Sequence, residues 1–371
     1  MPKQIFIVYG NHASSLGIRE IVHSLLSSLK SDFSIELTKE LKSNCVNILI
    51  DEFSHPFDVA AIKKTKELYP KTKIVIAVTE FVTPITVFGV EIAKTFNFFE
   101  NPALSMLSSR NPTPILEQAI YLRRRYLGFV RVLKYCDLLA AVHPQILPAV
   151  SELLDQFEIH LPAPVSFYPQ IGPLSVEQVE RLCNLPVGFT MSGTPTPYRN
   201  RITAGLIRNF KRVGWTTPIY KYLPFEPADD AVFSTDSGYL AEYHGNSPDY
   251  LFNINPPQSA NWPYSSPMRI LRAILLGQVP VITKRCYDHP LEDVAMLWDG
   301  KKETAFEVAT RQIFDRQSWL TEYLRSLEAY DRRTWEANRP FVGAMKVMAD
   351  AVPSGSRSDL TEERRAQGSV G

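Results

Sequence analysis

The chain has 371 residues, enough for about two domains of ordinary size. Forty Lys and Arg stand against 39 Asp and Glu, a formal charge of +1, which excludes the strong basic excess of a surface built to bind nucleic acid. Apolar residues make up 45% and charged residues 21%, the composition of a globular protein, and no apolar run approaches the length of a membrane-spanning helix.

The opening residues Met1-Pro2-Lys3-Gln4 run straight into a strand pattern, without the charged start, apolar centre and cleavage site of a leader. A cytoplasmic protein is expected, with membrane contact at most peripheral. Cys45, Cys136, Cys183 and Cys286 are widely spaced and form no CxxC pair. They read as buried thiols in a reducing compartment, not as a disulfide framework or zinc cluster.

Strands and helices alternate through the first third. Gln4 to Tyr9 is a β-branched and aromatic strand, followed by a small-residue loop from Gly10 to Gly17. Ile18, Ile21, Val22, Leu25, Leu26 and Leu29 then recur at helical spacing. Phe33 to Leu37 and Val46 to Ile50 read as strands, Asp58 to Leu68 as a helix, and Lys73 to Val78 as a strand. Near-continuous apolar strands between amphipathic helices imply a parallel sheet covered on both faces. Phe81 to Pro114 shows no sustained period. Ile115 to Tyr135 reads as a helix carrying Arg123-Arg124-Arg125, Leu138 to Val142 as a strand, and Ile146 to Phe157 as a helix.

Prolines at 162, 164, 169 and 173 mark an interdomain connection, because they defeat both helix and central strand. A second α/β unit follows. Its strands are Val187 to Met191, Pro218 to Tyr222, Tyr250 to Ile254 and Val279 to Thr283. Its helices are Arg201 to Val213, Asp236 to His244, Met268 to Leu276 and a long stretch within Thr304 to Ala337. The expected fold class is α/β, with two Rossmann-like domains facing across a cleft. Residues 1–160 form the first domain, 161–186 the connection, 187–345 the second domain and 353–371 a disordered tail.

In open α/β sheets ligands bind beyond the carboxyl ends of the strands, and candidate residues are sought there. Asn11 and His12 lie in the loop after the first strand, where His12 suits a general base or a donor to a sugar, or simply caps the helix. Glu80 follows the strand Lys73 to Val78 and suits a base, or else a solvated or arginine-paired carboxylate. His143 closes Leu138 to Val142 and could reach a cleft. Ser192, Gly193 and Thr194, with Arg199 and Arg201 beyond, form a strand, hydroxyl loop and helix suited to a phosphate. Tyr264, Ser265, Ser266 and Arg269 gather at a helix start, with Pro267 in the first turn and Gly277 at the end. Arg123 to Arg125 reads as a solvated face, with an anionic membrane surface or acidic acceptor as the alternative. Asp288-His289-Pro290 is assigned no role, and no histidine pair has metal-ligand spacing.

The segment SSPMRILRAILLGQVPVI, together with GNHASSLG, SGTPTPYRNR and a long helix near the C-terminus, resembles GT-B glycosyltransferases. The nearest likeness is to bacterial members with a CgeB-like C-terminal region. Arg269 and Arg272 stand on the helix where retaining members similar to glycogen synthase carry a glutamate. The resemblance implies a nucleotide-sugar donor held mainly by the second unit, a glycan, lipid-linked or small-molecule hydroxyl acceptor held by the first, and no cofactor or essential metal. It implies that Ser192, Thr194, Arg199, Ser265, Ser266 and Arg269 stabilise the leaving phosphate, while Glu80 or His12 takes the acceptor proton. The competing readings are a sugar-nucleotide epimerase, a pyruvyl transferase, and a non-catalytic nucleotide-binding or assembly scaffold.

Overall fold

The computed structural model describes residues 3–9, 16–50, 53, 56–87, 89–96, 113–192, 197–212, 219–221, 250–257, 266–283, 289–298 and 315–352. The predicted helix Asp236 to His244 and the tail after residue 352 lie outside them.

The first sheet is built from β1 (Lys3–Val8), β2 (Phe33–Thr38), β3 (Val46–Ile50), β4 (Lys73–Val78), β7 (Leu138–Ala141) and the two-residue β8 (Val165–Ser166). They lie in the order β2-β1-β3-β4-β7-β8, and every pairing is parallel. All of β3 and β7 is buried, as are the last four residues of β1. This is why these strands read as unbroken apolar runs, since a parallel sheet is covered on both faces. Helix α1 (Leu16–Leu29) buries Ile21, Val22, Leu25 and Leu29 against the sheet. Helix α2 is Pro56–Leu68.

The segment after β4, aperiodic in sequence, contains an antiparallel hairpin of β5 (Val82–Val87) and β6 (Val90–Phe96), with Gly89 at φ +80° in its turn. Only glycine adopts that conformation cheaply. The hairpin packs on α3 (Thr113–Leu133), where Phe96 meets Tyr126 and Phe129 edge to face or tilted. Helix α4 (Leu147–Gln156) follows β7 after a short 3₁₀ turn.

The second sheet runs β10 (Ile219–Lys221), β9 (Phe189–Ser192), β11 (Phe252–Asn255), β12 (Val279–Ile282), β13 (Met296–Leu297), again wholly parallel. Both sheets set their first strand between the second and the third, so the order reverses beside β1 and beside β9. The chain therefore folds as two Rossmann-like α/β units, as expected.

Two features add to the predicted organisation. Past its prolines, the connection contains α5 (Val176–Asn184). Its start is a capping box in which Ser175 accepts from the Gln178 backbone N–H and Gln178 accepts from Ser175. After the short α8 (Pro290–Val294) and the long α9 (Arg316–Ala337), α10 (Arg339–Ala351) returns to the first unit, where Phe341, Met345 and Met348 join its core. The last turns expected in the second domain thus belong to the first core.

That return fastens the connection. Both Asp331 carboxylate oxygens accept 2.7 Å bonds from the Ile171 and Gly172 amides. Asn338 bonds both backbone groups of Tyr168, at 2.8 and 2.9 Å, and Tyr330 donates to the Pro169 carbonyl. Proline-rich backbone, deprived of ladder partners, is satisfied here by side chains from α9 and by Asn338 at the α9–α10 junction.

The units also meet through α1 and α7 (Pro267–Leu275). Arg272 donates from Nε and a terminal nitrogen to the two carboxylate oxygens of Glu20, at 2.7 and 3.0 Å, with both residues buried. One turn along, Ser24 lies against Met268. Helix α7 ends in a Schellman motif: the Gly277 amide donates to Ile274, the Gln278 amide to Ala273, and Gly277 sits at φ +64°.

Two stability effects follow. Glu20→Ala leaves a buried guanidinium without its carboxylate and is expected to lower unfolding free energy by about 3–5 kcal/mol. Gly277→Ala adds left-handed strain, and its Cβ would stand 2.9 Å from the Gln178 carbonyl oxygen; a loss of about 1–2 kcal/mol is expected. Urea unfolding monitored by circular dichroism checks both, and wild-type midpoints would refute these roles.

Candidate functional site

The carboxyl edges of both sheets carry the polar residues singled out in sequence, and a local rule of chain geometry puts them there. Where a strand of such a sheet runs on into a helix, the first turn of that helix lies at the strand's carboxyl end. In the second unit this concerns α6 (Pro197–Arg212) after β9 and α7 after β11.

Arg199, in the first turn of α6, is 1% exposed, and its Nε donates to the Pro256 carbonyl at 3.3 Å. Arg269, in the first turn of α7, donates to Asn255 Oδ1 at 3.2 Å and to the same Pro256 carbonyl at 3.4 Å. Asn255 in turn donates to the Ser266 carbonyl at 3.3 Å. Two guanidinium groups from different helices therefore converge on one carbonyl just past β11, at the point where the strand order reverses. Beside them lies the positive end of the α7 dipole, although Pro267 has no amide and the Arg269 and Ile270 amides donate to the Ser266 carbonyl. Ser266 is the N-cap residue of α7, with Pro267 next, yet its hydroxyl makes no capping bond. Arg201 is exposed on α6, away from this convergence. Ser192 ends β9. Gly193, Thr194, Tyr264 and Ser265 lie outside the described residues.

In the first unit, Glu80 follows β4 and accepts from Arg125 of α3 at 3.2 Å. Arg125 is buried, with its guanidinium over the rings of Phe96 and Tyr121. This corrects the reading of Arg123 to Arg125 as a solvated face: the third arginine positions Glu80, and Arg123 donates to the Lys94 carbonyl. Only Arg124 of the three is fully exposed. The arginine-paired reading of Glu80 describes its surroundings. Asn11 and His12 lie outside the described residues.

His143, just past β7, is completely buried and touches His289, with ring centroids 5.0 Å apart. Phe81 meets His143 edge-on at 5.7 Å, and Tyr168 lies 5.6 Å from His289. His143 belongs to the first unit and His289 to the second, so the two units meet at this pair. In sequence His289 stands only as part of Asp288-His289-Pro290, near a strand end and with no partner named; like His143, it precedes a proline. Each caps the helical turn that follows, accepting from the amide two residues on, Gln145 at 3.3 Å and Leu291 at 3.1 Å. With Nδ1 accepting, the neutral ring carries its proton on Nε2.

Burial holds both imidazoles neutral. It lowers the pKa of His143 to about 4, against a partial opposing effect of Gln145. His289 is pushed well below the ordinary value by burial first and then by His143 and Arg333, with the Val142 backbone opposing. Cys136, also buried, has its thiol pushed up to about 12 and donates to the Leu138 carbonyl, which makes it an inert core group. Among the described residues no cluster of three or more His, Cys, Asp or Glu could hold a metal ion, and no helix is long and apolar enough to cross a membrane.

No protein-family profile matches the chain, and no curated protein does. Solved structures do. Among them is a GtfA/B complex, at 9% identity and TM-score 0.40 over 90% of this chain, which spans 60% of that one. Another is the α,α-trehalose 6-phosphate synthase of Burkholderia multivorans, at 12% identity and TM-score 0.41, covering 90% of this chain and 76% of that one. A third is Anabaena HepE in complex with UDP-glucose, at 9% identity and TM-score 0.44, covering 93% of this chain and all of that one.

The histidine pair sets a pH dependence. Unfolded histidine takes up a proton as pH falls through about 6.5, whereas native His143 does so only near 4. The stability that the neutral pair contributes is therefore fully present above about pH 6.5 and is lost as the pH drops toward 4. His143 alone accounts for about 3 kcal/mol of that fall. Urea unfolding at pH 7, 5.5 and 4.5 should show it, with a shallower slope in His143→Phe; equal stability at pH 7 and 4.5 would remove the buried neutral pair.

Proposed function

We propose that this protein is a glycosyltransferase of two-domain GT-B build, which moves a sugar from a nucleotide-sugar donor to a hydroxyl acceptor. The observation that carries the reading is the convergence of Arg199 and Arg269 at the strand-order reversal of the second sheet. Two guanidinium groups beside the positive end of a helix dipole suit a diphosphate.

In this reading the guanidinium groups of Arg199 and Arg269 stabilise the charge that builds on the leaving nucleoside diphosphate, joined by the hydroxyls of Ser192, Thr194, Ser265 and Ser266. Glu80, held by Arg125, or His12 takes the proton of the acceptor hydroxyl as its oxygen attacks the anomeric carbon. The acceptor is a glycan, a lipid-linked sugar or a small molecule. No cofactor and no essential metal is assigned to the reaction, and the protein works in the cytoplasm. The prolyl connection, tied down by α9 and the α9–α10 junction, holds the two halves at the spacing a donor and acceptor require.

Thermal shift against UDP, GDP, CMP and dTDP and their sugars, with and without divalent metal, is the first test. A ligand at about 100 times its dissociation constant adds about 2.7 kcal/mol. One nucleotide class is expected to stabilise the protein without metal, and Arg269→Gln should abolish that shift while Arg201→Gln keeps it. A panel without any shift overturns the donor site. A shift without sugar transfer or donor hydrolysis favours the non-catalytic scaffold. Full turnover in both Glu80→Gln and His12→Ala would overturn the assignment of the base.

A further inference from the structure

The first unit carries a surface that the reaction does not use. Twelve large apolar side chains are exposed among the described residues, and six of them, Val90, Ile92, Leu116, Ile120, Tyr121 and Leu127, fall on β6 and α3. They are not scattered. The Lys94 carbonyl accepts from Arg123, and Phe96 lies against Tyr126 and Phe129, so β6 and α3 run side by side in the same direction. A strand advances about 3.3 Å per residue and a helix about 1.5 Å. Stepping back along both elements from those contacts brings Ile92 abreast of Ile120, and Val90 abreast of the helix start near Leu116.

The outward stripe of α3 continues this patch. Leu116, Ile120, Arg124, Leu127, Arg131 and Lys134 recur at intervals of three and four along the helix and just past its end, which puts them on one face, and all six are exposed. The stripe is apolar toward the hairpin and cationic toward the helix end. The exposed carboxylates on the same elements are Glu91 and Glu117, while Glu152 of α4 is taken up by Lys94. Monomeric proteins seldom leave a contiguous apolar patch uncovered, and one bordered by arginine and lysine is complementary to an anionic interface.

We propose that the start of β6 and the outer face of α3 dock this protein on an anionic lipid membrane, with Val90, Ile92, Leu116, Ile120 and Leu127 entering the headgroup boundary and Arg124, Arg131 and Lys134 meeting lipid phosphates. A basic side chain near such a surface contributes about fivefold in affinity, and the attraction weakens with salt. The contact is peripheral, made by side chains on one helix face and one hairpin. It does not depend on the activity proposed above, because none of these residues belongs to the candidate site.

The test is cosedimentation of the full chain with vesicles of phosphatidylglycerol and phosphatidylcholine, and with vesicles of phosphatidylcholine alone. Binding to the anionic vesicles only is expected, falling about 25-fold in the double variant Arg124→Gln, Arg131→Gln. It should be lost in Ile92→Ser, Ile120→Ser, with melting temperatures unchanged because all four side chains are exposed. Absence of binding, or equal binding by the variants, overturns the proposal. Lipid-free self-association that Ile92→Ser, Ile120→Ser abolishes would assign the surface to a second copy of the chain instead, which also overturns it.

Discussion

The ion pair between Glu20 and Arg272 governs how the two units of this protein face one another. A buried carboxylate and guanidinium recover their desolvation cost only when the geometry is good, here two bonds of 2.7 and 3.0 Å. The pair consequently acts as an orientation constraint more than as a source of stability. It sits on α7, one turn after Arg269, so holding α7 against α1 also places the arginine convergence at Pro256 relative to the first sheet.

Two further contacts make that placement unambiguous. The proline-rich connection would be a loose tether if its amides met only water. Asp331, Asn338 and Tyr330 take up the backbone groups around Tyr168 to Gly172, and α10 then buries Phe341 and Met345 in the first core. His143 and His289 pack ring against ring between the two units. The unit boundary is thus held by an ion pair, a polar clamp and an apolar-like contact of neutral imidazoles. Each responds to different conditions: the ion pair to loss of a partner, the imidazoles to acid.

The three consecutive arginines of α3 show how much one helical step changes. Successive residues turn about 100° around the axis. Arg125 is carried inward to Glu80 and two aromatic rings, Arg123 reaches the Lys94 carbonyl, and Arg124 stays in solvent. Their shared charge serves three separate purposes: positioning a carboxylate, fixing a hairpin, and marking the edge of an exposed apolar surface.

What the chain's own pattern determined was the set of elements whose cause is local. Apolar runs such as Val46 to Ile50 and Leu138 to Ala141 specify parallel strands because both of their faces are covered. Pro267 and Gly277 bound α7 because one lacks an amide the helix does not need and the other tolerates positive φ. The capping box Ser175 to Gln178 went unread, because the prolines before it made the whole stretch look like extended connection. The candidate residues at strand ends were legible for the same reason, since a strand running into a helix leaves its loop at the sheet edge. Only tertiary structure decided which of them meet. Arg199 and Arg269 are 70 positions apart, Glu20 and Arg272 are 252 apart, and His143 reaches a histidine from the other unit. No period or spacing encodes such pairs. They arise when two sheets and a returning C-terminal helix bury their faces together, and the polar groups trapped at that boundary must then find one another.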